Sequence, residues 1–293
     1  MKIAICGKPF PDQLPFEIRQ LFGTLADNNI ELFIHKEFFV GLDGKIHFRK
    51  KPDIFSKFES LKHKMDFFFS IGGDGTFLDT ICFVRNSGTP ILGINTGRLG
   101  FLASTSIDEL PDAVQNIIQG HFMVEQRSLI RLETENNPFG EENFALNEIS
   151  VNNRHDSSMI TIHTWINGQY LASYWSDGLI LSTPTGSTAY SLSCGGPIIV
   201  PDSQAFVITP IGPHNLSIRP VVIPDTCCIT MKIEGRVEEI LVNLDSKSKP
   251  IKTGQEINIR KETFSVNIIR FRDQNFFSTL RNKLLWGLDK RNV

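Results

Sequence analysis

At 293 residues, 41% apolar and 21% charged, the chain has an ordinary globular composition and enough length for two cores. Its 30 basic and 32 acidic side chains leave a net charge of -2, which argues against the basic face of a nucleic-acid binder but leaves room for a small anion held by backbone N–H groups. No apolar run nears the ~20 residues of a membrane-spanning helix, and the apolar part of MKIAICGKPFPDQ is too short for a signal peptide.

In chain order, Ile3-Ala4-Ile5-Cys6 is the unbroken apolar run of a buried strand ending at Gly7. Leu14, Ile18, Leu21, Phe22 and Leu25 recur at helical spacing, and residues 30–34 read as the next strand. The polar, glycine-containing stretch 41–51 reads as a mobile loop. Asp66 to Ile71 lacks polar alternation, as in a central parallel strand covered on both faces. It runs into Gly72-Gly73-Asp74-Gly75, and Thr76 to Arg85 has a helical pattern. A strand over Pro90 to Ile94 follows, then an N-cap region at Ser104-Thr105-Ser106. Leu110, Val114, Ile117 and Ile118 mark a helix that Gly120 ends. This alternation predicts a doubly wound, Rossmann-like α/β domain over residues 1–121.

From about Phe122 the period changes. Residues 159–166 alternate, Asn167-Gly168 is a type I′ turn signal, and residues 169–175 return, which predicts a hairpin. Further strands are expected at Leu179 to Ser182, Phe206 to Thr209, Cys228 to Ile233, Glu239 to Val242, Ile257 to Arg260 and Phe264 to Ile269. A mostly β domain over residues 122–270, a β-sandwich, fits this pattern. The tail, residues 271–293, carries Leu280, Leu284 and Leu285 on one face of a helix from Phe277 to Leu288 and is expected to return to the first domain. Cys6, Cys82, Cys194, Cys227 and Cys228 are odd in number and form no C-x-x-C pair, so they read as buried thiols of a cytoplasmic protein.

Neither G-x-x-x-x-G-K-[ST] nor a G-x-G-x-x-G after a strand is present. The loop that follows the central strand is Gly72-Gly73-Asp74-Gly75-Thr76. Glycines there let backbone approach a diphosphate, and the helix start aims free N–H groups at it. A carboxylate facing phosphates would be repelled, so Asp74 either binds a metal, accepts a proton from a reacting hydroxyl, or caps the helix that follows. A second loop, Ser182-Thr183-Pro184-Thr185-Gly186-Ser187-Thr188-Ala189-Tyr190-Ser191 with Ser193 beyond it, is dense in hydroxyls between apolar flanks. Those hydroxyls need partners, either a ligand or backbone. Arg98, in Asn95-Thr96-Gly97-Arg98-Leu99-Gly100-Phe101, reaches either a phosphate or a surface acid. Asn147-Glu148 is a polar pair inside a β run.

These motifs, in this order, resemble the NAD kinases: Gly72 to Thr76, Asn95 to Phe101, Asn147-Glu148, and Asp177-Gly178-Leu179 through Thr183 to Tyr190. Pro213-His214-Asn215-Leu216-Ser217-Ile218-Arg219-Pro220 is similar to a later turn of the same family. The resemblance implies transfer of the γ-phosphoryl of ATP, or in some members polyphosphate, to the 2′-hydroxyl of the adenosine ribose of NAD. It implies Asp74 as the base that takes the hydroxyl proton. Gly75, Phe101, Asn147, Glu148, Asp177, Thr188, Ala189, Tyr190, Ser191 and Ser193 would line the dinucleotide site, and Gly72, Gly73, Thr76 and Arg98 are phosphate-loop candidates. It also implies a divalent metal, magnesium above all, with no protein ligand assigned, and assembly as a homodimer or homotetramer without membrane or nucleic-acid partners. Trp175 stands where many members have a basic residue, and Asp245-Ser246-Lys247 replaces a glycine and glutamine after an aspartate, so no role is carried onto Lys247. A diacylglycerol-type lipid kinase shares the first motif but has no use for residues 183–190, and a non-catalytic dinucleotide sensor would use the same residues without ATP turnover.

Overall fold

A computed structural model describes residues 1–10, 13–61, 64–153, 159–235, 238–272 and 274–285. The chain divides into two compact units, Met1–Gln126 with Val266–Val293, and Arg127–Ser265.

The first unit alternates strand and helix: β1 (Lys2–Gly7), α1 (Phe16–Asp27), β2 (Glu31–His35), α2 (Lys36–Leu42), β3 (Asp53–Phe55), β4 (Phe67–Ile71), α3 (Asp74–Val84), β5 (Ile91–Asn95), β6 (Thr105–Ser106) and α4 (Leu110–Gln119). The strands lie in the order β5-β4-β1-β2-β3, all parallel, with β6 parallel beside β5. Ile3, Ala4 and Ile5 of β1, Phe68 and Phe69 of β4, and Ile91, Leu92 and Ile94 of β5 are all buried, as strands covered on both faces require. Helix α1 contributes the stripe Ile18, Leu21, Phe22 and Leu25. Gly120, in the left-handed conformation at φ 76°, ends α4. β1 has β2 on one side and β4 on the other, so the winding reverses there; such a switch point opens a crevice beyond the carboxyl ends of the strands.

Some expectations shift in detail. Residues 41 and 42 close α2 rather than opening a loop. Thr105-Ser106 forms β6, and Ser106 stabilises the turn before α4 by exchanging hydrogen bonds with Glu109: its N–H donates to Oε2 at 2.9 Å, and its Oγ accepts the Glu109 N–H at 3.3 Å.

The chain continues with β7 (Met123–Glu133), β8 (Phe144–Ala145), β9 (Glu148–Asn153), β10 (Ile160–Ile166), β11 (Gln169–Ser176), β12 (Gly178–Ser182), α5 (Tyr190–Ser193), β13 (Ala205–Ile211), β14 (Val221–Pro224), β15 (Ile229–Glu234), β16 (Glu239–Leu244), β17 (Lys247–Lys252) and β18 (Glu256–Arg270). Within the second unit one antiparallel sheet runs β14-β13-β12-β9-β16-β17, and a second path runs β11-β10-β15-β18. Ile149, Val151, Leu179, Leu181, Phe206 and Ile208 from the first sheet share one core with Ile160, Ile162, Ile229, Met231, Ile257 and Ile259 from the second, a sandwich. The β10–β11 hairpin turns at Asn167 (φ 49°) and Gly168 (φ 78°), both left-handed as a type I′ turn demands.

Where two strands were expected, β18 is one strand of 15 residues. Lys261-Glu262-Thr263 contains no turn former, and buried Glu262 lies 3.7 Å from Arg131 Nη1, so the chain stays extended. Its first part pairs with β15, and near its end Ile268 pairs with Ile91 in the first unit's sheet.

The last helix, α6 (Phe276–Leu284), belongs to the first unit and starts with a capping box between Asn275 and Ser278. Leu280 is buried on it, whereas Leu285 is exposed, because it takes the left-handed C-cap position at φ 52°. Positions 286–288 of the expected helix lie outside the described residues.

Candidate active site

In the first unit the carboxyl ends of β1, β4 and β5 open onto a cleft of about 280 Å³ lined by Gly72, Gly73, Gly75 and Thr76 together with Lys8, Phe10 and Thr96. It lies at the switch point, with the first turn of α3 facing it, so free amides and the positive end of the helix dipole meet there. Lys8 brings a cation that residue-by-residue matching of motifs missed. The signal was available, since Lys8 follows Gly7 at the end of a buried strand. Arg98 is exposed and is not among the residues that line the cleft.

Asp74 is the first residue of α3, but its side chain does not cap that helix. Its carboxylate instead reaches the loop after β5. Oδ2 accepts the Phe101 N–H at 3.0 Å, and Oδ1 accepts those of Leu102 and Ala103, both at 3.0 Å. Lys283 Nζ of α6 lies 3.2 Å from Oδ2 and 4.9 Å from the centre of the Phe101 ring. The approach is so close that a Cβ on Gly100 would overlap the carboxylate. Arg270 holds the same loop from β18, donating to the Phe101 carbonyl at 3.0 Å, to Ser104 Oγ, and through Nε to Glu125 at 2.9 Å.

The second unit repeats the device. Asp245, in the turn between β16 and β17 with φ 50°, accepts the N–H groups of Leu146 (2.8 Å), Asn147 (2.8 Å) and Glu148 (3.1 Å). The Asn147 carbonyl in turn accepts the Thr183 N–H at 2.9 Å, and the Thr183 hydroxyl donates to the Leu146 carbonyl at 2.5 Å. A Cβ on Gly186 would overlap the Asn147 carbonyl, so the two segments are in backbone contact.

Most hydroxyls of this loop are spent on its own construction. Ser187 donates to the Pro184 carbonyl at 2.6 Å and accepts the Ile199 N–H at 2.9 Å. Thr188 donates to the Thr185 carbonyl at 3.2 Å, Ser191 and Thr209 share a hydrogen bond of 2.8 Å, and buried Arg127 donates to Thr185 at 3.1 Å. Of the two sources of partners left open by the sequence, backbone supplies the larger part. Thr188 and Ala189 remain half-buried, while Tyr190, Ser193 and Asp177 are exposed.

Glu148 stands out electrostatically. Burial first, then the Asp245 carboxylate, pushes its carboxyl up to about 8, against a backbone hydrogen bond from Tyr190 that lowers it. Asp245 itself is raised to about 6 by burial, opposed by its three N–H donors and by Lys247. At neutral pH Glu148 is therefore a neutral acid able to donate a hydrogen bond, and its Oε2 has no hydrogen-bond partner among the described residues. The Tyr190 phenol is also raised, by burial first and then by Cys194, with Asp177 and Glu148 adding to it, which places these four groups in one electrostatic neighbourhood. Trp175 is exposed and packs against His214 with the rings tilted by 43° and their centres 4.2 Å apart, which joins the 213–220 turn to the strand before Asp177.

An amide-lined cleft at the switch point of a parallel sheet, with a second unit whose polar turn is fixed by backbone, defines a nucleotide-binding protein of mixed α/β and β architecture. Residues 3–122 match the family model described as ATP-NAD kinase N-terminal domain, and residues 146–271 match that of the ATP-NAD kinase C-terminal domain. The chain belongs to the ATP-NAD kinase family. It is 45% identical over 294 residues to an NAD kinase of Flavobacterium johnsoniae and 43% identical over 296 residues to one of Cytophaga hutchinsonii, covering 100% of both chains in each case. Among solved structures, an NAD kinase of Archaeoglobus fulgidus in complex with ATP is 25% identical with a TM-score of 0.73, over 96% of this chain and 99% of that one. A yeast NADH kinase complexed with NADH shares the fold at a TM-score of 0.88 and 23% identity, over 100% of this chain and 89% of that one.

Proposed function

We propose that this chain is an NAD kinase that transfers the γ-phosphoryl group of magnesium-bound ATP to the 2′-hydroxyl of the adenosine ribose of NAD, giving NADP and ADP. The observation that carries the reading is the full-length match to NAD kinases, with the glycine-rich turn of that family lying at the switch-point cleft. In the reaction the 2′-oxygen forms a bond to the γ-phosphorus as the bond from that phosphorus to the leaving ADP oxygen breaks. The hydroxyl proton passes to Asp74, which acts as general base.

Phosphate binding falls to Gly73 and Thr76 through backbone amides, with Lys8 as their cation, while Gly72, whose own N–H donates to the Ile94 carbonyl at 2.8 Å, lines the turn beside them; Arg98 would reach phosphate from outside the cleft. The family motifs assign Gly75 and Phe101, and likewise Asn147, Glu148, Asp177, Thr188, Ala189, Tyr190, Ser191 and Ser193, to recognition of the dinucleotide. Support for Glu148 is its protonation at neutral pH and its unpaired Oε2. Among the described residues no three His, Cys, Asp or Glu side chains converge as a metal cage. Magnesium is assigned to ATP as part of the substrate, in keeping with its preference for phosphate oxygens and water over dedicated protein ligands. The proposed setting is the cytoplasm, supported by five free cysteines. The proposed state is a homodimer or homotetramer, for which exposed Leu216 and Val222 offer apolar contact surface.

Incubation with NAD, ATP and magnesium, followed by an NADP-specific dehydrogenase, should show NADP only when donor and metal are both present. No NADP from NAD or NADH, with ATP or polyphosphate, would overturn the assignment. Asp74→Asn keeps one oxygen for Leu102 and Ala103, so NAD binding should persist while kcat falls about 10²–10⁴-fold, the usual worth of a general base. Turnover near the wild-type rate in that variant would remove Asp74 from the chemistry.

A further inference from the structure

A carboxylate offers about four acceptor positions. On Asp74 three are filled by the N–H groups of Phe101, Leu102 and Ala103, and the fourth faces the ammonium of Lys283 at 3.2 Å. A substrate hydroxyl that gives its proton to Asp74 must take the place of that ammonium. Both partners are accessible enough for the exchange, with 32% of the Lys283 side chain and 29% of the Asp74 side chain exposed. The displaced cation need not travel far. It already lies over the Phe101 ring, and α6 is fastened to this loop by the Phe101–Phe276 contact, with ring centres 6.1 Å apart, and by Gln274, whose amide donates to the Ser104 carbonyl and to Thr105 Oγ1 at 3.3 and 3.2 Å.

The product changes the electrostatics at this spot. Once the 2′-oxygen carries the phosphoryl group, the ribose bears between one and two negative charges beside an aspartate. We propose that Lys283 yields its position on Asp74 to the ribose hydroxyl and then pairs with the 2′-phosphate of the product, so that it is the residue by which the protein distinguishes NADP from NAD. The proposal rests on the kinase reading, with Asp74 at the 2′-hydroxyl. No atom is added to the reaction already written: the proton goes to Asp74, the phosphoryl to the ribose, and Lys283 changes partner from a carboxylate to a phosphate.

The test is calorimetric titration of the full-length protein with NAD and with NADP, without ATP, for wild type, Lys283→Met and Lys283→Arg. A charge-assisted pair with phosphate predicts that NADP affinity falls about 10-fold or more in the Met variant. NAD affinity should stay within about 5-fold and move, if at all, toward tighter binding, because an exposed ion pair has been removed. The Arg variant should keep the wild-type ratio of the two affinities within about 3-fold. A general loosening of α6 would weaken both dinucleotides alike, and that result, or an unchanged ratio in the Met variant, overturns the proposal. Should Lys283→Met fail to fold, Lys283→Gln removes the charge while keeping a polar side chain and is read the same way. Wild-type protein that binds neither dinucleotide and forms no NADP overturns the kinase reading along with the proposal, whereas NADP formation with an unchanged ratio overturns the proposal alone.

Discussion

Asp74 and Asp245 are spent in the same way: each gathers three successive backbone amides and thereby shapes the loop next to it. They differ in what lies beyond. Asp74 faces an ammonium, while Asp245 is buried beside a second acid, Glu148. A carboxyl held near 8 in the folded chain, against 4.5 when free, leaves the folded state with more bound protons between those values. Stability must then fall as pH rises through that window and level off above it. Asp245, raised to about 6, adds a loss of the same sign at lower pH. Glu148→Gln cannot ionise, so its melting temperature should match wild type near pH 5 and exceed it by several degrees at pH 9. Thermal melts of the two proteins across that range check this, and parallel curves would mean that Glu148 is not held neutral by the fold.

At the scale of elements, the turn after β12 is fixed by contact between backbones rather than by its hydroxyls. Gly186→Ala would force a methyl into the Asn147 carbonyl and should cost about 1–3 kcal/mol, as overpacking does, with a raised KM for NAD. Gly23, in the middle of α1 with no atom near its missing Cβ, is the control: Gly23→Ala should stabilise by about 0.5–1 kcal/mol. Denaturant midpoints that move the same way for both would refute the backbone-contact account. The same contrast explains what could be read from the sequence. The parallel strands β1, β4 and β5 announced themselves through apolar runs, and the β10–β11 hairpin through Asn167-Gly168, because those signals are local, whereas the short parallel strands β3 and β6 carry no such run. β7, β14 and β17 did not: the exposed start of β7 and the sequence KSKPIK of β17 carry no period-2 pattern, and pairing partners hold them. Asp245 and Lys283 went unassigned because their roles depend on what distant segments bring to them, and spacing along the chain does not encode that.

For the molecule as a whole, the first unit is discontinuous: residues 1–126 share a core with Ile269, and Arg270, Gln274 and Lys283 hold its loops. The second unit is one unbroken stretch with its own core. A chain ended at residue 265 should therefore keep residues 127–265 resistant to limited proteolysis while residues 1–126 are digested; equal resistance of both would show that β18 and α6 are dispensable to the first unit. This division also gives the newborn chain an unusual timetable. Residues 1–126 are made before the segment from residue 266 onward that completes their core, which follows roughly 140 residues later. At roughly 5–20 residues per second that is a wait of about 7 to 30 seconds. Through that interval the cluster around Phe69, Leu92 and Ile94 lacks Ile269, so the translation speed of the intervening β unit sets how long a nascent chain must be shielded by chaperones before its first core is complete.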